Sequence, residues 1–161
     1  MKLLKVSART LDGLRPKLAP VCVGRKSYRY RLCDLLAHPD ALPDLVALAD
    51  PDRLTQVLAN LVRNAVTHTP EGGAVLVHLE AVPPDRVAVD VSDTGIGIAP
   101  EDRERIFERF YRGDPSRSRD TGGFGLGLAI ARELAEAMGG GITVTSEPSV
   151  GSTFRVTLRR R

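Results

Sequence analysis

The clearest periodicity in the chain begins at residue 50. Leu54, Val57, Leu58, Leu61, Val62 and Ala65 recur at helical spacing and define one apolar face. Asp50-Pro51-Asp52 supplies the start signal: a capping acid, a proline at the first helical position and a second acid in the first turn. Thr69-Pro70-Glu71-Gly72-Gly73 ends that helix. Two alternating runs follow, residues 74–81 and 86–92, joined by Val82-Pro83-Pro84-Asp85, and they predict an antiparallel hairpin. Next come a glycine loop, a short helix near 100–109 and a loop through 111–124. A second long helix is expected over Gly125–Met138, with Leu126, Ile130, Leu134 and Ala137 on one side and Gly139-Gly140-Gly141 as its stop. Residues 142–146 and 152–158 alternate again and predict a closing hairpin. Before residue 50 the pattern is weaker, and gives a short helix near 9–19 and strands near 26–33 and 44–48. This order of elements predicts an α+β fold: a two-layer α/β sandwich with a mixed, mostly antiparallel sheet and helices on one face.

Composition narrows the picture. With 161 residues, 42% hydrophobic and 27% charged, the chain suits one domain spanning 1–161 with a core of its own. No apolar run is long enough to cross a bilayer, so no membrane insertion is expected. Cys22 and Cys33 have no metal-ligand spacing and read as reduced thiols, which points to a cytoplasmic setting. The net charge is +3, with arginines interspersed among acids, so no nucleic-acid partner is expected. The basic run Arg159-Arg160-Arg161 reads as a solvated terminus. The fifteen glycines change the picture most, because they cluster at 95–97, 122–127, 139–141 and 151.

Three segments carry candidate chemistry. On the first long helix, Gln56, Asn60, Asn64 and His68 recur every fourth residue and form a polar stripe that drifts slowly around the cylinder. Asn64 falls at the edge of the apolar face, where an unsatisfied amide costs about 1–3 kcal/mol. It either hydrogen-bonds backbone or offers its oxygen to a hard cation such as Mg2+. Asp93-Thr94-Gly95-Ile96-Gly97-Ile98 runs from a strand into a turn. Asp93 can accept a hydrogen bond from an exocyclic amine, and the glycines let a flat ring approach the backbone. A plain Asx turn is the alternative there. Gly122-Gly123-Phe124-Gly125-Leu126-Gly127-Leu128 opens the second helix, whose free N–H groups suit phosphate. A Rossmann loop fails on context, since no strand leads into these glycines, and a Walker loop fails because no Gly-Lys-Ser/Thr follows.

Taken together, Asn60-x-x-x-Asn64, Asp93-x-Gly95-x-Gly97, Phe107-Glu108-Arg109-Phe110-Tyr111-Arg112, Gly123-x-Gly125-x-Gly127 and Gly151-Ser152-Thr153-Phe154 resemble the five sequence boxes of the catalytic ATP-binding domain of bacterial sensor histidine kinases. That domain shares the Bergerat fold with the gyrase and MutL ATPases. The resemblance is clear over 50–158 and weak over 1–49. It implies ATP and Mg2+ as cofactors, with Asn64 on the metal and Asn60 supporting the metal and phosphates. Asp93 would bind the adenine amine, flanked by Gly95, Gly97 and Ile98, with Thr153 beneath the ring and His68 close by. Gly123, Gly125, Leu126, Gly127 and Leu128 would line the phosphate end, and 111–124 would form a lid. Arg112 and Arg109 would stabilise charge on the γ-phosphate or contact the phosphoacceptor domain, which gives the catalytic set Asn60, Arg109 and Arg112.

Within that superfamily the hydrolysing members carry glutamate where Asn60 stands, to activate water. An amide cannot take that proton, so a kinase is expected and not a dedicated ATPase. Neutral imidazole is already nucleophilic and needs no such base. The resemblance also carries departures. Thr67 stands where many members have lysine, and Phe124 where a small or hydroxylic residue is usual. The three histidines precede Pro39, Thr69 and Leu79, and none lies on a helical hairpin of the phosphoacceptor type. The expected partners are thus a dimerisation domain bearing the histidine, in cis or in trans, and a downstream response regulator. The alternatives are a non-enzymatic ATP-sensing module and an anti-sigma-type serine kinase.

Overall fold

The computed structural model describes residues 3–5, 46–112 and 124–160. Two short strands, β1 (Leu3–Lys5) and β2 (Val46–Leu48), form an antiparallel ladder. The helix expected near 9–19 and the strand near 26–33 lie outside the described residues.

Helix α1 (Pro51–His68) starts where the sequence signals it. The Asp50 carboxylate accepts the N–H groups of Asp52 and Arg53, both at 3.0 Å, so these two donors of the first turn are satisfied, and Pro51 has no N–H to leave unpaired. Leu54, Val57, Leu58, Leu61, Val62 and Ala65 are all buried, as their spacing requires. Strands β3 (Val75–Val82) and β4 (Arg86–Asp93) form the first hairpin. The short helix expected near 100–109 is instead two 3-10 turns, Pro100–Asp102 and Arg105–Phe107, separated by Arg103 and Glu104. Helix α2 (Gly127–Ala137) begins two residues later than the glycine pattern suggested. Strands β5 (Gly141–Glu147) and β6 (Gly151–Arg159) form the closing hairpin.

The sheet runs β3-β4-β6-β5, and every pairing among the described residues is antiparallel. Pleating sends alternate side chains to opposite faces. One face carries Val77, Val91, Phe154 and Val156, packed against the apolar stripes of α1 and α2. The other carries polar groups: Arg155 donates to both oxygens of Asp90 at 2.8 and 2.6 Å and pairs with Glu80 at 2.7 Å. The result is the two-layer sandwich with its helices on one side. The pleat also decides which side chains at the end of the sheet face the helices. Asp93 pairs across the ladder with Ser152, and Ser152 with Ser146, so these three polar residues close the row on the helix side.

Candidate functional site

Three elements converge around the polar stripe of α1. At the near end of the stripe, the Asn60 amide donates to the carbonyl of Gly127 at 3.1 Å, tying α1 to the first turn of α2. One turn on, Asn64 is half-buried, and its carboxamide has no hydrogen bond among the described residues. At the far end the His68 carbonyl accepts the N–H of Ile96 at 3.2 Å. The stripe therefore runs from the start of one helix to the loop that leaves β4.

That loop holds the buried acid. Asp93 is 8% exposed, and its Oδ1 accepts the N–H of Gly95 at 2.8 Å. Burial pushes its pKa above the ordinary value of 3.8, opposed by the N–H groups of Gly95 and Ser152 and by His68. Desolvation lowers the His68 pKa, against the pull of the Asp93 carboxylate. Gly95 lies so close to the His68 carbonyl that a Cβ there would overlap it. Gly97 has φ +69°, and a Cβ there would overlap the Glu147 carbonyl, so glycine is required on both counts. Ile98 is anchored by its N–H, which donates to the Ser146 hydroxyl at 2.8 Å.

The start of α2 forms the other end. Leu126 stands at its N-cap and gives no side-chain capping bond, so no side chain among the described residues caps the first N–H groups of the helix. Gly127 is exposed, and only the Asn60 carboxamide, at 3.8 Å, comes near the position of a Cβ there. Uncapped donors at a helix start, next to exposed glycine and a neutral amide, suit an anion. Leu128 packs against the core, so its side chain points away from that end.

The segment before the lid is held from several sides. Phe107 meets Phe154 edge to face at 6.3 Å, and the Arg132 guanidinium covers the Phe107 ring at 5.1 Å. Tyr111 donates its hydroxyl to Asp102 at 2.5 Å beneath the Arg105 guanidinium. The Phe110 N–H donates to the Gly125 carbonyl at 2.9 Å, which joins the chain on either side of residues 111–124. Residues 113–123, Gly123 included, lie outside the described residues.

A profile of the Histidine kinase-, DNA gyrase B-, and HSP90-like ATPase family matches residues 49–161. The chain belongs to that family. This ATPase-family domain is 47% identical over 125 residues to the Sensor-like histidine kinase SenX3 of Mycobacterium tuberculosis, covering 78% of this chain and 30% of that protein. It is 44% identical over 116 residues to the Sensor histidine kinase WalK of Bacillus subtilis, covering 71% of this chain and 19% of that one. The chain thus spans less than a third of the length of these relatives. Among solved structures, a mycobacterial sensor histidine kinase MprB aligns over 99% of both chains with TM-score 0.74 and 26% identity. Full-length ShkA in complex with AMPPNP aligns over 99% of this chain and 31% of its own, with TM-score 0.69 and 32% identity.

The ATPase-family domain brings together Asn60, Asn64, His68, Asp93, Gly95, Gly97, Ile98, Gly125, Leu126 and Gly127. Besides Leu128, two side chains lie elsewhere. Thr153 does not lie beneath the ring position beside Asp93. It faces the opposite side of the sheet, where its hydroxyl meets that of Ser92 at 2.9 Å. Ser152 is the hydroxyl beside Asp93, and counting by twos back from the apolar positions Leu158, Val156 and Phe154 would have found it. Arg109 is turned onto the flank of α2, where it pairs with Glu133 at 2.7 Å, away from the phosphate end. Arg112 is exposed.

Proposed function

We propose that this domain is the ATP-binding catalytic part of a sensor histidine kinase. It transfers the γ-phosphoryl group of Mg-ATP to a histidine on a separate dimerisation domain, in cis or in trans. The observation that carries this reading is the spacing of opposite chemistries along α1: a buried carboxylate at one end, uncapped helix N–H groups at the other, and neutral amides between. A purine amine suits the first and phosphates the second.

The residues fit the cofactors. Among the described residues no group of three His, Cys, Asp or Glu side chains could hold a metal by itself. The half-buried Asn64 oxygen suits a hard cation that takes its other ligands from phosphate oxygens and water. When bound, Mg2+ would offset the charge of the phosphates. Asn60 would orient the phosphate end while staying bonded to Gly127. Its carboxamide cannot take a proton from water, which favours transfer over hydrolysis. Arg112 would carry charge to the γ-phosphate from the lid. Positioning and electrostatics then supply most of the catalysis, as in other phosphoryl transfers. A response regulator would receive the phosphoryl group afterwards. No helix among the described residues is long and apolar enough to cross a membrane, in keeping with a domain that works in the cytoplasm.

Mixing the protein and Mg-ATP with a separately expressed phosphoacceptor domain tests the reading. Acid-labile phosphohistidine on that domain is expected. Acid-stable phosphoserine on a partner, or nucleotide binding with no transfer, would overturn it.

Thr67 adds a prediction of its own. It is exposed in the last turn of α1, one turn beyond Asn64. A lysine there would offer a charge-assisted hydrogen bond to a phosphate, worth about 1.5–3 kcal/mol. Thr67→Lys is therefore expected to tighten ATP binding about tenfold or more by calorimetric titration. Unchanged affinity would remove the phosphates from that part of α1.

A further inference from the structure

The row of hydroxyls behind Asp93 has only one consistent arrangement of its protons. Ser146, 7% exposed, closes the helix-facing row at the end of β5. Its Oγ lies 2.8 Å from the Ile98 nitrogen, 2.8 Å from the Gly151 carbonyl oxygen and 3.0 Å from Ser152 Oγ. A serine hydroxyl has one proton and two lone pairs. The Gly151 carbonyl can only accept, so it takes the Ser146 proton. The Ile98 N–H can only donate, so it takes one lone pair. What remains for Ser152 is the second lone pair, and Ser152 must therefore donate to Ser146. Its own proton is committed, and Ser152 Oγ is left with lone pairs alone on the side of Asp93. Asp93, ionised, also only accepts.

We propose that Ser146 acts as a positioning residue for base selection: by fixing the proton of Ser152 it makes the end of the purine site accept hydrogen bonds only, so the site takes a 6-aminopurine and rejects a 6-oxopurine. The inference rests on the nucleotide-site reading above and adds a specificity device to it. A 6-amino group donates to these oxygens. A 6-oxo group would place a third acceptor against them, and neither Ser152 nor Asp93 holds a proton to turn toward it. Without Ser146, the Ser152 hydroxyl regains its rotation and can donate to the oxo group.

ADP and inosine diphosphate differ at C6 and in the N1 proton that accompanies the oxo form, so the ratio of their affinities, compared between wild type and variants, reports the effect. By calorimetric titration with Mg2+, wild type is expected to prefer ADP by at least about tenfold. Ser146→Ala is expected to shrink that preference about fivefold to tenfold, chiefly by improving inosine diphosphate binding relative to ADP. A purely structural role would weaken both nucleotides alike and leave their ratio unchanged, and that result would overturn the proposal. Ser152→Ala removes the acceptor while leaving Ser146 bonded to Ile98 and Gly151, and it should also lower the preference, so the inference stays open to test if Ser146→Ala fails to fold. In the double variant the two losses should not add, because Ser146 acts through Ser152; additive losses would overturn the proposal. Wild type binding neither nucleotide would instead sink the nucleotide-site reading itself.

Discussion

Saturating Mg-ADP is expected to raise the melting temperature by about 5–10 °C, and Asp93→Ala to abolish the rise. At about 100 times the dissociation constant a ligand adds roughly 2.7 kcal/mol, and a domain of this size gains about 2–4 °C per kcal/mol. Asp93 is the one buried acid at the purine end, and losing it leaves the exocyclic amine without its charged acceptor. Asp93→Asn separates binding from folding. Burial raises the carboxyl pKa above 3.8. A group raised in this way supports the fold fully below its unfolded pKa, and that support is lost as pH rises through the folded value. At neutral pH the ionised Asp93 is thus a cost to the empty domain. The asparagine removes that cost and keeps an oxygen for the Gly95 N–H. Its empty form should melt at or above the wild-type temperature while ADP affinity falls at least about tenfold. Wild-type affinity should also decline on acidification at a higher pH than an ordinary aspartate would give. An equal thermal shift in Asp93→Ala would remove the purine from this pocket.

The second large effect is expected at Gly151. Its φ is +140°, and a Cβ there would overlap the Asp93 carbonyl, with the Thr94 Cα at 3.0 Å. That backbone region is essentially closed to other residues and costs about 1–3 kcal/mol before any overlap is counted. Gly151→Ala is expected to lose about 3 kcal/mol or more, read as a lower urea midpoint with an unchanged slope. The ADP shift should fall with it, because relief of the overlap moves Asp93 away from Ser152. Gly72 provides the control: φ is +86° but nothing lies within 4 Å, so alanine there should cost only about 1 kcal/mol. Equal losses at both positions would show that the close approach at Gly151 contributes nothing.

Most of the architecture was readable wherever a local signal and the packing agreed. Asp50-Pro51-Asp52 and the apolar stripe of α1 both act within a few residues, and the helix begins and ends as they indicate. Strands β3 to β6 were likewise legible from alternation, whereas β1 gave no such signal. The stretch 100–109 was not: it forms two 3-10 turns in place of one short helix, and of the neighbouring aromatics Phe107 meets Phe154 while Phe110 is 70% exposed. The Arg109 partner was not legible, because a sequence shows a charge and not what it pairs with, and Glu133 lies a helix away. Thr153 failed by a single residue. Two adjacent hydroxyls look equivalent in a motif, yet a one-residue step moves a strand side chain to the other face of the sheet. Ser146 carried no signal at all, since its role depends on three groups brought together from 98, 151 and 152.

The bond between Phe110 and Gly125 has a practical side. That bond joins the chain on either side of residues 111–124, at two points held by the body of the domain. Closing a flexible loop costs only about 0.6 kcal/mol more for each doubling of its length. Segments of quite different length and composition can therefore be transplanted between the same two points at little expense to the sandwich. Exchange of that segment is expected to alter ATP turnover while leaving the melting temperature of the empty domain nearly unchanged.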